Sequence, residues 1–350
     1  MKSNGKKILI FILLIVILGV GCIGFGLSQL SAVNRNNNDV EFTVRDGATF
    51  KNVLEDLEEQ GLIKNSSVAY IYFKLTDFPS VKAGKYIVND SLSLKEICDY
   101  LSDSSNIVDE SVEITIIEGS ELTTIAEQLS NITNLSSNDL LDHWNDEDAF
   151  KNYMKDYSFL TEEACNEDVR YLLEGYLFPD TYRINPNTTV DEVTRKFLDR
   201  TQAVFDKYKG DFINNELSIH QVFTLASVVQ WEANSYDDMR KVAGVFFNRL
   251  HGDCNSQIGS SRLESSVTIC YAADITVSPA CELFDTKEKT KDSPYNTYYH
   301  EGLMPGCICA PGEEAIHAVL YPESSNYCFF FADNQGVHYS DTYYQHLSNY

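Results

Sequence analysis

Positive charge is scarce in this 350-residue sequence, which has 27 Lys and Arg residues against 52 Asp and Glu residues and a net charge of −25. Nucleic-acid binding depends on clustered basic side chains that neutralise phosphates, so this composition argues against a nucleic-acid partner. CxxC pairs and histidines at metal-ligand spacing are also lacking, so a zinc site is not expected. No phosphate loop or Ser/His/Asp triad stands out, and nothing indicates a metal or an organic cofactor.

One long apolar run contrasts with the acidic composition. Residues Ile8–Leu27 carry no charge, follow three lysines, and precede no Lys or Arg until Arg35. About 20 apolar residues cross a bilayer as a helix, and the positive-inside rule places such an N terminus in the cytoplasm. The run predicts a single-pass membrane anchor in residues 1–30 and an extracytoplasmic remainder. A cleaved signal peptide and lipidation at Cys22 are the alternatives.

Export of the chain would permit disulfides among the eight cysteines outside this run. Five of these cysteines fall between Cys270 and Cys328. Pairing of Cys254 with Cys270 or with Cys281 is compatible with the sequence, but the spacing does not determine the connectivity.

Short strand–turn–helix patterns follow the apolar run. The polar segment 31–39 is typical of a linker. In residues 40–105, alternating apolar residues predict strands beginning at Val40 and Gly84, and helical spacing follows each of them. This region resembles a LysM-like α+β module, a fold often used on cell-wall glycans; a spacer is the alternative. The same plan recurs from Val112, and residues 106–350 are expected to form a mixed α+β catalytic region.

The segment LASVVQWEAN, Leu225–Asn234, brings one carboxylate into a stretch that otherwise has the composition of a core. Ser218 and Gln221 form an S-x-x-Q capping box, and the helical spacing after it places Glu232 on the apolar face near the helix end. Desolvation there would raise the pKa of the carboxyl group and make it a proton donor suited to glycosidic bond cleavage. Pairing of Glu232 with Arg249 or another cation is the structural alternative.

Several segments in a fixed order resemble the YceG/MltG family of membrane-anchored endolytic murein transglycosylases. Besides LASVVQWEAN and the upstream EGYLFPDTY, they are DMRKVAGVFFNRL (Asp238–Leu250), SPYNTYYHEGLMPGCICAPG (Ser293–Gly312) and YCFFFADNQGVHYSDTYYQH (Tyr327–His346). The resemblance covers roughly Val112 to the C terminus. It implies cleavage of the β-1,4 bond between N-acetylmuramic acid and N-acetylglucosamine within nascent glycan strands, with 1,6-anhydro ends as product. It also implies peptidoglycan, the membrane and cell-wall synthases as partners.

Two departures from the family pattern affect the assignment of residues. The family motif resembles LASIVEKEA, and this chain has Gln230 at its first acidic position and Glu232 at its second. Glu232 is the only acid retained and it lies on the apolar face of the helix, so we assign it as the catalytic acid; a family acid at the first position would instead leave this chain inactive. The family's LQSDPTVxYA motif appears as LESSVTICYA, Leu263–Ala272. Its Glu264 is expected to be a solvated loop residue or a glycan contact, and a second acidic participant in the reaction is the alternative.

Substrate contacts are expected from side chains that combine a flat apolar face with a polar tip, because sugar rings present both CH-rich faces and hydroxyls. The YNTY segment, Tyr295–Tyr298, has this character. The Gly- and Pro-rich loop after it, Gly302–Gly312, is suited to line a groove. Packing against the core is the alternative for these residues. The candidate substrate-binding residues are Tyr295, Asn296, Thr297, Tyr298, Glu174, Glu264 and His338.

Two other functions are compatible with the sequence. One is hydrolysis of the same bond by water, and the other is a catalytically silent protein that binds the cell wall or acts as a scaffold. The form of the released muropeptide ends distinguishes the two enzymes, and an activity assay distinguishes both from the scaffold.

Overall fold

The computed structural model describes residues 13, 17, 18, 21, 24–34, 36–274, 287–333 and 336–348. The chain divides into two compact units, Met1–Glu110 and Ser111–Tyr350. Separate clusters of buried apolar side chains form a core in each unit.

The predicted N-terminal transmembrane helix requires a correction. Among the described residues, no helix is both long and apolar enough to cross a membrane. The expectation of a transmembrane helix in the fold is therefore wrong for the described part of the chain. Most of Ile8–Leu27, including Cys22, lies outside it.

The first unit is built on one antiparallel pair of strands, β1 (Asp39–Val44) and β2 (Gly84–Asn89). Two helices, α1 (Phe50–Glu59) and α2 (Ser66–Leu75), connect them, and α3 (Leu94–Ser102) follows. Side chains of Thr49, Asn65 and Ser93 cap the three helices, which satisfies backbone N–H groups that have no partner within the helix. The strand and helix positions predicted from alternation and helical spacing are confirmed, and the LysM-like assignment remains a prediction.

The second unit is a mixed α+β structure dominated by helices. Its described strands form antiparallel pairs, β3 (Val112–Thr115) with β4 (Thr181–Ile184) and β5 (Phe329–Asp333) with β6 (Gly336–Ser340). In chain order its elements are β3 (Val112–Thr115), α4 (Leu122–Ser130), α5 (Ser137–Trp144), α6 (Glu147–Tyr153), β4 (Thr181–Ile184), α7 (Val190–Lys207), α8 (Lys209–Asn214), α9 (Ile219–Glu232), α10 (Tyr236–Leu250), α11 (Asn255–Ile258), α12 (Ser266–Ala272), α13 (Glu313–Leu320), β5 (Phe329–Asp333), β6 (Gly336–Ser340) and α14 (Tyr343–Ser348).

Helix α9 lies inside the core of the second unit. Every residue from Val222 to Val229 is buried, and the helix packs against α10, α12 and α13. The predicted capping box is present, since the Ser218 side chain accepts from the Gln221 N–H and the Gln221 side chain accepts from the Ser218 N–H. A helix that is apolar on all sides must be buried, and this burial fixes the position of its last residue, Glu232.

A disulfide joins the segment after α10 to the start of β5. Cys254 is bonded to Cys328, so it pairs with neither Cys270 nor Cys281. Cys270 is also disulfide-bonded, and Cys281 lies outside the described residues.

Candidate active site

Glu232 is the C-terminal residue of α9 and is half-buried. The helix ends because Ala233 adopts an extended conformation, with φ −143° and ψ 146°. Ser235 then caps α10 by accepting from the N–H of Asp238. The chain therefore turns directly after Glu232, which leaves its side chain at the edge of the core and facing other segments of the second unit.

A chain of hydroxyl groups holds the Glu232 carboxylate. The Ser265 hydroxyl donates to Glu232 Oε1 over 2.5 Å, and the Ser265 N–H donates to Thr297 Oγ1 over 3.0 Å. Thr268 Oγ1 lies 2.9 Å from Thr297 Oγ1 and donates to the Ser265 carbonyl oxygen over 2.8 Å. Ser265, Thr268 and Thr297 are all buried, so this network fixes one carboxylate oxygen in place.

Arg249, near the end of α10, is buried and positively charged, but its hydrogen bonds with described residues go to backbone carbonyl oxygens and not to Glu232. Its guanidinium donates to the carbonyl oxygens of Cys328, over 2.8 Å, and of Leu263, and lies 5.6 Å from the centre of the Phe329 ring. Backbone carbonyls thus satisfy the guanidinium, while its charge acts on Glu232 through space. The alternative of a direct ion pair between Glu232 and Arg249 is not what the structure has.

The environment of Glu232 raises the pKa of its carboxyl group above that of an exposed glutamate. Desolvation is the dominant cause, because burial disfavours the charged form. The hydrogen bond from Ser265 and the charge of Arg249 act in the opposite direction, since both favour the carboxylate. The group is therefore able to hold a proton at a higher pH than usual and is stabilised after losing it.

Gln230, at the position of the other acidic residue in the family motif, has a structural contact. Its side-chain oxygen accepts from the Gly312 N–H over 2.9 Å, where α13 begins. A carboxylate could accept the same hydrogen bond, so the amide preserves the contact. No carboxylate at position 230 is needed to hold α9 against α13.

The four residues of the YNTY segment have different surroundings. Tyr295 is buried, packs against Tyr271 with ring centres 5.0 Å apart, and accepts from the Arg170 N–H. The Asn296 side chain is 0% exposed and donates to the Lys287 carbonyl and Thr290 Oγ1. Thr297 belongs to the hydroxyl chain described above, and Tyr298 is half-buried, with Lys287 Nζ 4.4 Å from its ring centre. Only Tyr298 of the four keeps a substantial exposed surface.

Glu174 is 3% exposed and serves as a remote cap of α4. Its Oε1 accepts from the Leu122 N–H over 2.9 Å, and its Oε2 accepts from the Tyr271 hydroxyl over 3.3 Å. Burial, reinforced by the nearby charge of Glu121, raises the pKa of Glu174 to about 8. These bonds reach neither Glu232 nor its partners Ser265 and Thr297, and they give Glu174 a structural role.

The two remaining candidates lie in different places. Glu264 immediately precedes Ser265, has φ +48° and lies 3.3 Å from Arg262; its N–H donates to the Thr297 carbonyl oxygen. The loop from Glu264 to Ser265 is thus held against the YNTY segment beside Glu232. His338 lies on β6, where its Nε2 is 3.1 Å from Asp333 Oδ1 and its ring stacks on Phe331. Both contacts lie within the β5–β6 pair, and neither is with Glu232, Ser265 or Thr297.

Sequence reasoning missed Ser265 and Thr268 as functional residues. The departure from the family motif drew attention to Glu264, whereas the serine beside it forms the hydrogen bond to Glu232. A signal was available, because serine before a helix and threonine three positions later are typical of residues that bond locally at a helix start. That pattern does not identify Glu232 as a partner.

Curated relatives and one solved structure are similar to this chain. A protein from Bacillus subtilis named endolytic murein transglycosylase is 29% identical over 90% of this chain and 85% of its own length. A protein of the same name from Streptococcus pneumoniae is 29% identical over 99% of this chain and 64% of its own length. A yceG-like protein of known crystal structure from Listeria monocytogenes is 27% identical, with a TM-score of 0.61, over 90% of this chain and all of that chain.

The family is settled by the extent of the match. Residues 42–350 match the model of the YceG-like family, which includes α9, the LESSVTICYA segment and the YNTY segment. The resemblance inferred from the sequence motifs is confirmed, and this chain belongs to the YceG-like family.

Proposed function

We propose that this chain is a lytic transglycosylase that cleaves the glycan strands of peptidoglycan. The observation that carries the proposal is the desolvated carboxyl group of Glu232, held by Ser265 at the end of a buried helix. Family membership and relatives named endolytic murein transglycosylase support the substrate and the reaction class.

Glu232 acts first as the general acid. Burial raises its pKa, which favours the protonated form, and the proton passes to the glycosidic oxygen of the departing N-acetylglucosamine. The bond between that oxygen and C1 of N-acetylmuramic acid then breaks. Positive charge develops on the muramic ring, as in other glycosidic cleavages.

The same group acts next as the general base. The Glu232 carboxylate removes the proton from the C6 hydroxyl of the muramic residue, and the C6 oxygen forms a new bond to C1. The product is a 1,6-anhydro end, no water is consumed, and Glu232 regains its proton. One carboxyl group therefore serves both steps, and the paired carboxylates of hydrolytic glycosidases are not required.

Ser265 and Arg249 stabilise the charged form of Glu232 between the two steps. The Ser265 hydroxyl donates to one carboxylate oxygen, and such charge-assisted bonds are stronger than neutral ones. Arg249 contributes a fixed positive charge whose hydrogen bonds are already satisfied by backbone carbonyls. Because Arg249 forms no direct ion pair with Glu232, it does not hold the carboxyl group in its ionised form, and Glu232 can still take up a proton.

The candidate substrate contacts fall into two groups. Tyr298 and Glu264 keep accessible surface on segments bonded to the Glu232 network, so we assign them to glycan binding. The hydrogen bonds of Tyr295, Asn296 and Thr297 hold the YNTY loop in place, and Glu174 caps α4. His338 remains a candidate for a more distant contact.

The substrate places the activity in the cell wall, outside the cytoplasm. The LysM-like module, residues 40–105, is assigned to contact with wall glycans, and cell-wall synthases are assigned as partners that supply nascent strands. The second unit, within the predicted catalytic region 106–350, contains Glu232 and its network.

Digestion of purified peptidoglycan, followed by mass spectrometry of the released muropeptides, tests the proposal. The wild-type protein should release 1,6-anhydro ends, and Glu232→Gln should lower the rate at least a hundredfold. Glu127→Gln, an exposed substitution on α4, is the matched control and should cleave at the wild-type rate. Reducing ends would instead identify a hydrolase, and no release by the wild-type protein would favour the silent scaffold.

A further inference from the structure

A cavity of about 600 Å³ lies at the opposite end of α9 from Glu232. His220, in the first turn of α9, lines it, and the helix rises about 18 Å from His220 to Glu232 at 1.5 Å per residue. Ligand sites in proteins commonly have volumes of roughly 300–1,000 Å³. Neither Glu232 nor Ser265 lines this cavity, so it is a separate feature of the second unit.

The walls of the cavity combine an apolar floor with an acidic edge. Buried or half-buried apolar side chains form the floor, namely Leu217, Phe247, Leu250, Leu303 and Met304. Exposed carboxylates of Glu163 and Glu216 stand at the edge. Among the described residues that line the cavity, none is Lys or Arg. A ligand with an aliphatic chain and a positively charged end matches this distribution.

The polar groups at the edge are oriented by neighbouring side chains. Glu163 accepts from the Ser218 hydroxyl, and Glu216 Oε2 lies 3.1 Å from His251 Nε2. His220 is bonded on both ring nitrogens, to the Tyr176 hydroxyl over 2.6 Å and to the Pro305 carbonyl over 2.7 Å. Burial lowers the pKa of His220, so this histidine adds no positive charge that would repel a cation.

Backbone contacts connect the cavity wall to the candidate active site. Gly302, which lines the cavity, donates its N–H to the Ser261 carbonyl over 3.0 Å and forms a bridge with Arg262. Further along the same two segments, the Glu264 N–H donates to the Thr297 carbonyl over 3.1 Å. The two segments thus extend from the cavity to the residues that hold Glu232.

We propose that this cavity binds the primary ammonium group of a diamino-acid side chain in the peptide stems of the glycan substrate. The inference rests on the proposed function, since the stems reach the cavity only if the glycan is bound at Glu232. The methylene chain would pack on Leu250 and Leu303, and the ammonium group would lie between Glu163 and Glu216. Two carboxylates near one ammonium give a favourable Coulomb energy even in a partly aqueous setting.

Kinetics on three matched substrates test this assignment. The substrates are glycan strands with free stem-peptide amines, the same strands with those amines acetylated, and strands stripped of their peptides. The double variant Glu163→Gln with Glu216→Gln should raise KM three- to tenfold on the first substrate and leave kcat unchanged. It should have no effect on the other two substrates. Glu314→Gln, an exposed substitution outside the cavity, is the matched control.

The outcomes separate the two proposals. An equal change on all three substrates, or no change on the first, would overturn the ammonium site while leaving the cleavage reaction intact. Absence of cleavage by the wild-type protein on every substrate would instead overturn the proposed function.

Direct binding decides the assignment in either case. A lysine-containing stem tripeptide should bind Glu232→Gln protein saturably in calorimetry and lose three- to tenfold in affinity in the double variant. Putrescine that binds as tightly as the tripeptide would identify a site for free amines and contradict the assignment to peptide stems. No binding of either probe would also contradict it.

Discussion

Glu232 lies where opposing influences on a carboxyl group meet. Desolvation favours the protonated form, whereas Ser265 and the charge of Arg249 favour the carboxylate. A group that must both give and take a proton requires such a balance. Helical spacing predicted the position of Glu232 on α9 because that information is local. The contact with Ser265 joins two residues 33 positions apart in the sequence, so helical spacing does not predict it.

Replacement of Ser265 by alanine removes the hydroxyl group that donates to Glu232. Bonds to charged groups contribute roughly 1.5–3 kcal/mol, so we expect kcat on peptidoglycan to fall about tenfold or more. Because the bond favours the carboxylate, its loss should raise the pKa of Glu232 further and shift the alkaline limb of the pH–rate profile upwards. Ser266→Ala is the neighbouring control. An unchanged profile in Ser265→Ala would show that the bond does not act on the reacting group.

Glu174 makes stability depend on pH. Its pKa of about 8, against 4.5 for an exposed glutamate, corresponds to an ionisation cost of up to roughly 5 kcal/mol at about 1.4 kcal/mol per pH unit. As pH rises above 4.5 the unfolded chain loses the proton while the folded chain keeps it. The free energy of unfolding should therefore decrease between about pH 4.5 and 8.

Urea unfolding across this pH range measures the effect. Glu174→Gln retains an acceptor for the Leu122 N–H and should flatten the decrease, whereas Glu127→Gln, on the exposed face of α4, should not. If Glu174→Gln kept the wild-type slope, the buried carboxyl would not be the source of the pH dependence.

At the scale of elements, local sequence signals predicted helices better than loops. The S-x-x-Q box and apolar spacing predicted α9 to within a residue or two, because capping and periodicity act over a few positions. The burial of Asn296 and Tyr295 depends on Thr290, Arg170 and Tyr271, which are distant or unremarkable in sequence. A segment suited to stack on sugars was also suited to pack in a core, and only the fold distinguishes these roles.

The contact between α10 and the segment before β5 requires a glycine. A Cβ atom at Gly244 would lie 2.2 Å from the Glu323 carbonyl oxygen, so the backbone would have to move. We expect Gly244→Ala to lower the free energy of unfolding by about 1–3 kcal/mol. Gly210→Ala, in α8 with no atom within 4 Å of the added Cβ, should be neutral or stabilising by up to about 1 kcal/mol. Equal effects of the two in urea unfolding would contradict the close approach.

On the scale of the whole molecule, the separate cores of the two units indicate separate folding. The core of the second unit consists entirely of residues after Glu110. A fragment of residues 111–350 should therefore unfold cooperatively in urea and retain cleavage of soluble glycan strands. A fragment that is unfolded, or folded but inactive, would show that the first unit is needed for the structure or the reaction.

At this scale, the sequence predicted the fold class but not the disulfide pairing. The mixed α+β class followed from the alternation of strand and helix patterns. The pairing of Cys254 with Cys328 was not predictable, because it depends on where β5 lies relative to the end of α10. The membrane helix predicted from hydropathy is not present among the described residues.

The most direct test of the central claim is mass spectrometry of muropeptides released from peptidoglycan by the wild-type and Glu232→Gln proteins. If Glu232 alone donates and removes the proton, the wild-type protein should release 1,6-anhydro ends, and the rate of release should be at least a hundredfold lower in the variant. Equal release of anhydro ends by the two proteins would contradict the role assigned to Glu232.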